Sequence, residues 1–295
     1  MKKKINKPYI IAETACSHDG SVARLKRMIN ASFKAGSDAI QFQVWNAENM
    51  VTVNNPNLNK MKKLEISYKN WRQIFEYTKK KYPSLEIIAC IYDLEALEFT
   101  NNFGANAFKI HSSDLGNKEL LNRVSKLKKR VDLSVGGSTV KEISKALKIL
   151  KKNDVWLMYG IQSFPTDPKN INLNKIKLYE KKFNKNVGYQ DHSPTNMYAY
   201  LIPCASIGNG TCIIEKHITD TRERKGTDLE SALNFKEFKN FVKCIRETYA
   251  SLGQRKISKL NKMEEAYRIY SKKKIYLKKN LNKNYILKKS DIIIR

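Results

Sequence analysis

The chain has 295 residues, 41% hydrophobic and 28% charged, which is enough apolar material for a sizeable core and excludes a disordered, collagenous or fibrous protein. Lys and Arg total 56 against 28 Asp and Glu, a formal net charge of +28, and such an excess raises nucleic acid or an acidic membrane as a partner. The lysines are nevertheless spread through every segment, broken only by short runs such as 2–4, 79–81 and 272–274, so they read as solvated helix faces. No basic stripe interleaved with aromatic residues is present, and a nucleic-acid partner is not expected.

Five cysteines (Cys16, Cys90, Cys204, Cys212, Cys244) are odd in number, widely spaced and free of any Cys-x-x-Cys pair, which indicates neither a disulfide framework nor a zinc knuckle. The basic residues 1–7 and the apolar run after them would suggest a signal peptide, but Glu13 interrupts the run after a few residues. No stretch approaches the roughly 20 apolar residues that span a bilayer. A soluble cytoplasmic protein with no membrane partner is the expectation.

Up to residue 252, short β-type runs alternate with stretches of 3.6-residue period. The expected strands are 9–13, 39–44, 86–91, 107–111, 131–134, 155–159, 187–190 and 211–216. Helical patterns follow, among them 23–35, 71–81, 94–103, 140–151 and 235–252. Repeated βα units of this number predict an α/β fold of the (β/α)8 TIM barrel type over 1–252, with functional groups where strands run into the following loops. The asparagine-rich loop 46–66 has the length of a lid or binding loop, a disordered insertion being the plainer alternative. A polar linker, 253–273, leads to a short piece, 274–295, with strand-like runs at 271–276 and 286–292; it is too small for an independent domain.

The four histidines, His18, His111, His192 and His217, all lie at or near the C-terminal end of an expected strand. His192 and His217 end neighbouring strands, so two neutral imidazoles would share one barrel mouth and suit a divalent cation such as Zn, Mn or Fe. Two hydrogen-bonded histidines at a polar rim are the alternative. Asp228 is the candidate third ligand, and Asp191 and Glu215 are candidates to orient the imidazoles from behind. Lys109 sits inside an otherwise apolar strand, where an unpaired ammonium is costly; it is either a Schiff-base former or a partner for an anionic substrate. Glu13, also within an apolar run, needs a metal, a lysine or a substrate donor. Gly136-Gly137 precede Thr139 and Glu142, a pattern that reads as an ordinary capping box and also exposes backbone N–H groups to an anion. Residues 162–168, Gln162 to Pro168, form a proline-bounded turn carrying hydrogen-bonding groups.

Ile11-Ala12-Glu13 with His18-Asp19-Gly20, Phe108-Lys109-Ile110 with Ser112, Phe164-Pro165-Thr166, Gly188-Tyr189-Gln190-Asp191-His192 and Glu215-Lys216-His217-Ile218-Thr219 occur in one order, each at a strand end. Together they resemble the sialic acid synthase family, the N-acetylneuraminate and related nonulosonate synthases, over about residues 8–252. The resemblance implies a barrel enzyme that condenses phosphoenolpyruvate with an N-acetylated amino sugar and releases phosphate. It further implies Mn2+ or Mg2+ as the divalent cation and a homodimer in which a C-terminal antifreeze-like domain reaches the partner's site. Carried over by position, His192 and His217 would bind the metal, and Glu13 and Asp228 would serve metal and sugar as catalytic groups. Lys109, Ser112 and Ser134 would hold phosphoenolpyruvate, and Asp114 would meet the sugar. Gln41, Cys90, Gln162, Phe164 and Gln190 complete the expected substrate-binding set. Several of these depart from the family's usual residues: Gln41 stands for a lysine, Cys90 for a threonine, Phe164 often for a tyrosine and Gln190 for a serine. Residues 274–295 resemble only the opening of the antifreeze-like domain. Two alternatives follow from these departures, namely a related phosphoenolpyruvate aldol synthase using another aldose and a catalytically impaired barrel kept as a binding partner.

Overall fold

The computed structural model describes residues 5–224, 226–253 and 259–295. The lysine run 2–4 and part of the expected linker lie outside them. Two compact units result, Met1–Leu252 and Gly253–Arg295.

The first unit is built in strict alternation. Strand β1 (Tyr9–Glu13) leads to α1 (Val22–Ala35), and β2 (Ala39–Val44) to the short α2 (Ala47–Met50) and α3 (Leu58–Leu64) and then α4 (Tyr68–Lys81). Strands β3 (Glu86–Ile91), β4 (Ala107–Ile110), β5 (Arg130–Ser134) and β6 (Val155–Tyr159) are followed by α5 (Leu94–Asn102), α6 (Lys118–Lys126), α7 (Val140–Ile149) and α8 (Asn174–Phe183). β7 (Asn186–Asp191), α9 (Tyr198–Gly208), β8 (Ile213–His217) and α10 (Phe235–Ser251) complete the unit. All eight strands pair in parallel and in sequence order, and β1 pairs with β8, so the sheet is a closed (β/α)8 barrel, as the sequence predicts. The strands lie where the sequence puts them, shifted by at most two residues. β8 starts at Ile213 because the Thr211 hydroxyl accepts from the Ile213 N–H and donates to the Val187 carbonyl, tying the chain down before the strand begins.

Closure gives each strand an inward and an outward row of period two. The outward row packs on the helices in the main core, with Ile10, Phe42, Phe108, Leu133, Tyr189 and Ile214 among its members. The inward row forms a separate cluster of Ile11, Ala39, Ile88, Ala107, Trp156, Met158 and Ile213. At the N-terminal ends of the strands a polar plug closes the interior. Arg130 bonds Glu86 at 2.9 Å, Asp132 at 3.0 Å and the Tyr9 hydroxyl at 3.1 Å, with its guanidinium 4.1 Å from the Trp156 ring centre. At the C-terminal ends the inward residues are polar, and the site lies there.

Loop 46–66 is neither a disordered insertion nor without secondary structure. It carries α2 and α3, and Trp45, Ala47 and Leu64 bury against Met50, Leu58, Met61, Cys16 and Tyr92. The β1 loop meets it at Gly20, whose φ is +72° and whose missing Cβ would come 2.6 Å from the Lys63 carbonyl oxygen. Thr139 and Glu142 form the capping box of α7.

In the second unit, helix α11 (Lys262–Tyr270) stands where a linker was expected, started by an Asn261–Glu264 capping box. Strands β9 (Ile275–Leu277) and β10 (Ile292–Ile294) pair antiparallel. The second strand begins later than expected because 289–291 form a 3-10 turn in which the Asp291 carboxylate accepts from the Lys288 N–H. No helix among the described residues is long and apolar enough to cross a membrane.

On the outward face, Lys216 Nζ donates to Asp191 at 2.6 Å with both side chains fully buried, and Asp191 also accepts from the Tyr189 and Ser193 hydroxyls. Lys216→Met leaves that carboxylate buried without its counter-charge and is expected to lower stability by about 3–5 kcal/mol in denaturant unfolding. A loss below about 1 kcal/mol, the range of an exposed pair, would contradict the account.

Candidate active site

The C-terminal mouth holds a cavity of about 180 Å3 lined by residues from both the strand ends and the loops. Of the sequence-derived set, Glu13, Gln41, Cys90, Lys109, Gln162, Phe164, Gln190, His192, His217 and Asp228 line it. Ser134 lies just beneath, bonded to two of these residues. Ser112 and Asp114 form a 3-10 turn after β4 and are not in the lining; Asp114 accepts from Ser113 and Asn117 instead. Gln43, Tyr92, His111 and Glu215 also line the cavity. The period-two rule finds Gln43 and Glu215, which lie two residues from Gln41 and His217 on the same inward rows.

Lys109 is nearly fully buried and donates to Glu215 at 2.5 Å and to Gln190 Oε1 at 3.0 Å. Burial works against its charge, but the Glu215 carboxylate and neighbouring acids outweigh it and hold the pKa above the ordinary lysine value. The ammonium is thus suited to pairing with an anion and unsuited to Schiff-base formation, which needs the free amine. Glu215 serves this pair and makes no bond to a histidine, while Asp191 points to the outer face and bonds Lys216; neither orients an imidazole, contrary to expectation. For Asp191 parity decides this, because Asp191 and His192 are consecutive and so face opposite sides of the strand; Glu215 shares the inward row of His217 and is taken up by Lys109 instead.

Glu13 accepts from the Ala15 N–H at 2.6 Å and from Gln41 Nε2. Burial, then the nearby Glu215 charge, raises its pKa well above the usual carboxylate range, and Lys109 offsets this only in part. Gln41 Oε1 is buried without a partner. The Asp228 backbone has φ of +60°, and its carboxylate accepts from the Cys16 N–H at 3.0 Å, joining the β8 loop to the β1 loop. Arg224 reinforces that junction through bonds to Asp19 and the Ser17 carbonyl.

The imidazoles of His192 and His217 lie 5.1 Å apart between ring centres, and Phe164 packs on both, 4.4 Å from His192. Burial lowers both pKa values to about 3, so each ring is neutral. His192 Nδ1 is 2.7 Å from the Ile161 carbonyl oxygen, which can only accept, so Nδ1 carries the proton and Nε2 keeps a lone pair. His217 Nδ1 is buried with no partner. This donor set fits a divalent cation held by two nitrogens with its remaining positions open to oxygen ligands. The expected third ligand is not gathered, since the described residues contain no group of three His, Cys, Asp or Glu side chains able to hold a metal ion.

His18 lies away from the cavity lining, buried at 2% exposure beside Trp71, and its Nδ1 accepts from the Gly20 N–H at 3.1 Å. Burial, with help from Arg24 and Arg224, lowers its pKa to about 4. The unfolded chain takes up a proton near pH 6.5 that the folded ring refuses, so this contribution is intact above pH 6.5 and is lost as pH falls toward 4. It amounts to about 3 kcal/mol over that window. Denaturant unfolding as a function of pH is expected to show His18→Gln with a shallower loss than the wild type; parallel curves would contradict the assignment.

Known proteins resemble this chain over most of its length. An uncharacterised protein of Methanocaldococcus jannaschii is 35% identical over 248 residues, 83% of this chain and 72% of that protein. The N,N'-diacetyllegionaminic acid synthase of Campylobacter jejuni is 27% identical over 307 residues, 98% of this chain and 90% of that enzyme. Among solved structures, the N-acetylneuraminic acid (sialic acid) synthetase of Leptospira borgpetersenii, in complex with citrate, superposes with a TM-score of 0.81 at 30% identity. That superposition covers 90% of this chain and 93% of that one. The NeuB family profile matches residues 28–257, from the first helix through the end of the barrel, and the chain belongs to the NeuB family.

Proposed function

We propose that this enzyme joins phosphoenolpyruvate to an N-acetylated amino sugar, N-acetylmannosamine or a related hexosamine, giving a sialic acid-type nonulosonate and inorganic phosphate. The observation that carries the reading is the meeting, in one cavity, of a protonated lysine and two neutral imidazoles with free nitrogens. The named relatives, which make legionaminic and neuraminic acids, support the same class of product.

In this reading the Lys109 ammonium pairs with an anionic group of phosphoenolpyruvate, and Ser134 adds a hydroxyl donor. His192 and His217 would hold a divalent cation, Mn2+ or Mg2+, whose chemistry there would be to polarise the aldehyde of the open-chain sugar. The enol C3 attacks that aldehyde carbon, and the aldehyde oxygen takes a proton from a protonated carboxylate of the lining. Water adds to the cationic C2, one of its protons passing to that carboxylate, and the C2–O bond to phosphate breaks as the new C2 hydroxyl gives its proton to the departing phosphate and becomes the keto oxygen. Glu13 and Asp228 are the carboxylates available for these proton movements, Glu13 with the raised pKa that suits an acid–base group. A homodimer belongs to the reading, supported by the exposed apolar residues Tyr267, Ile269, Ile275 and Ile286 of the C-terminal unit. So does a cytoplasmic location.

The impaired-barrel reading draws on one specific observation, namely that Gln190 already occupies Lys109 and Ser134. Phosphate release from phosphoenolpyruvate with Mn2+, measured over N-acetylmannosamine and a panel of diacetamido-hexoses, separates the two. Release that requires one sugar and falls at least a hundredfold in His217→Ala is expected; no release with any sugar from folded protein would favour the impaired barrel. With phosphoenolpyruvate labelled at its bridging oxygen, the label is expected in the phosphate. Retention in the sugar acid would overturn the C–O cleavage.

A further inference from the structure

Gln190 stands on the inward row of β7 and is almost wholly buried in the cavity wall. Its Oε1 accepts from Lys109 Nζ at 3.0 Å and lies 3.2 Å from Ser134 Oγ, while its Nε2 is 3.0 Å from the same hydroxyl. An ammonium can only donate, so the amide is oriented with its oxygen toward Lys109. Gln162 Nε2 also reaches Ser134 Oγ at 3.4 Å. Space for this side chain comes from Gly160, where a Cβ would fall 2.4 Å from Gln190 Cγ.

An oxygen within bonding distance of an ammonium and a hydroxyl marks where an oxyanion oxygen would sit. We propose that Gln190 is a built-in occupant of the anion-binding corner of this cavity, and that a phosphate or carboxylate must displace its amide to bond Lys109 and Ser134 together. Of the three ammonium protons, one serves Glu215 and one serves Gln190, and the single Ser134 hydroxyl proton has the amide oxygen as its near acceptor. An entering oxyanion therefore exchanges existing hydrogen bonds for new ones and gains only the difference. Gln190 thereby sets a threshold for anion affinity. That the anion is phosphoenolpyruvate rests on the function proposed above; the displacement itself does not.

Calorimetric titration with inorganic phosphate and with phosphoenolpyruvate, at constant Mg2+ and ionic strength, tests this on the full chain. Gln190→Ser is expected to bind both about tenfold tighter than the wild type, and Gln190→Glu to bind neither. Lys109→Met in the Gln190→Ser background is expected to remove the gain. Gln190→Ala replaces the serine variant should that one fail to give the wild-type near-ultraviolet dichroism. Folded small-residue variants that bind both anions no tighter than the wild type would overturn the proposal. Tighter phosphate with unchanged phosphoenolpyruvate would leave Gln190 as the occupant and remove phosphoenolpyruvate as the natural anion.

Discussion

The pairing of β1 with β8, from Tyr9 opposite Ile213 to Glu13 opposite His217, closes the sheet, and the rest of the molecule follows from that closure. A closed barrel has no free edge, so every strand must assign one row of side chains to the helices and the other to the axis. The axis is filled by apolar residues in its middle and by the Arg130 plug at one end. At the other end the same row supplies Glu13, Gln41, Lys109, Gln190, Glu215 and His217. These groups are brought together by the parity of their positions in strands far apart in sequence.

Burying them is costly, and the way the cost is met explains the site. Lys109 and Glu215 satisfy each other, and Gln190 and Ser134 complete the lysine's surroundings. Glu13 has no lysine within bonding distance, and the backbone N–H of Ala15, which favours its charged form, does not offset burial and the nearby Glu215 charge, which is why its acidity is weakened. The orphaned Gln41 Oε1 and His217 Nδ1 are the groups a bound molecule or ion would complete. Stability and readiness to bind thus pull against each other across a few ångströms, with the fully satisfied Lys216–Asp191 pair on the outer face as the structural counterpart.

Arg24, Arg27 and Arg224 meet Asp19 and Asp220 where the β1 and β8 loops converge, the latter being the loop that carries Asp228. Part of the excess positive charge is therefore structural, spent on holding two loops against each other. Among the described residues the lysines are mostly exposed, on helices and in loops alike, so the expectation of solvated helix faces holds for only part of them.

The sequence by itself determined the barrel, because apolar alternation and helical period are local signals repeated eight times. It also made His192, His217, Lys109 and Glu13 conspicuous, since polar groups at the ends of apolar runs need partners. It did not determine who those partners are. That Glu215 meets Lys109, that Asp191 turns away to Lys216, and that Gln190 reaches across to Ser134 are relations between strands some 25 to 106 residues apart. Such relations are fixed by strand register, tilt and closure. The loop 46–66 shows the same limit: its length suggested a lid, but only the packing of Trp45 and Leu64 beside Cys16 and Tyr92 folded it into two short helices. Local pattern sets which elements form, and the closed sheet decides which of their side chains meet.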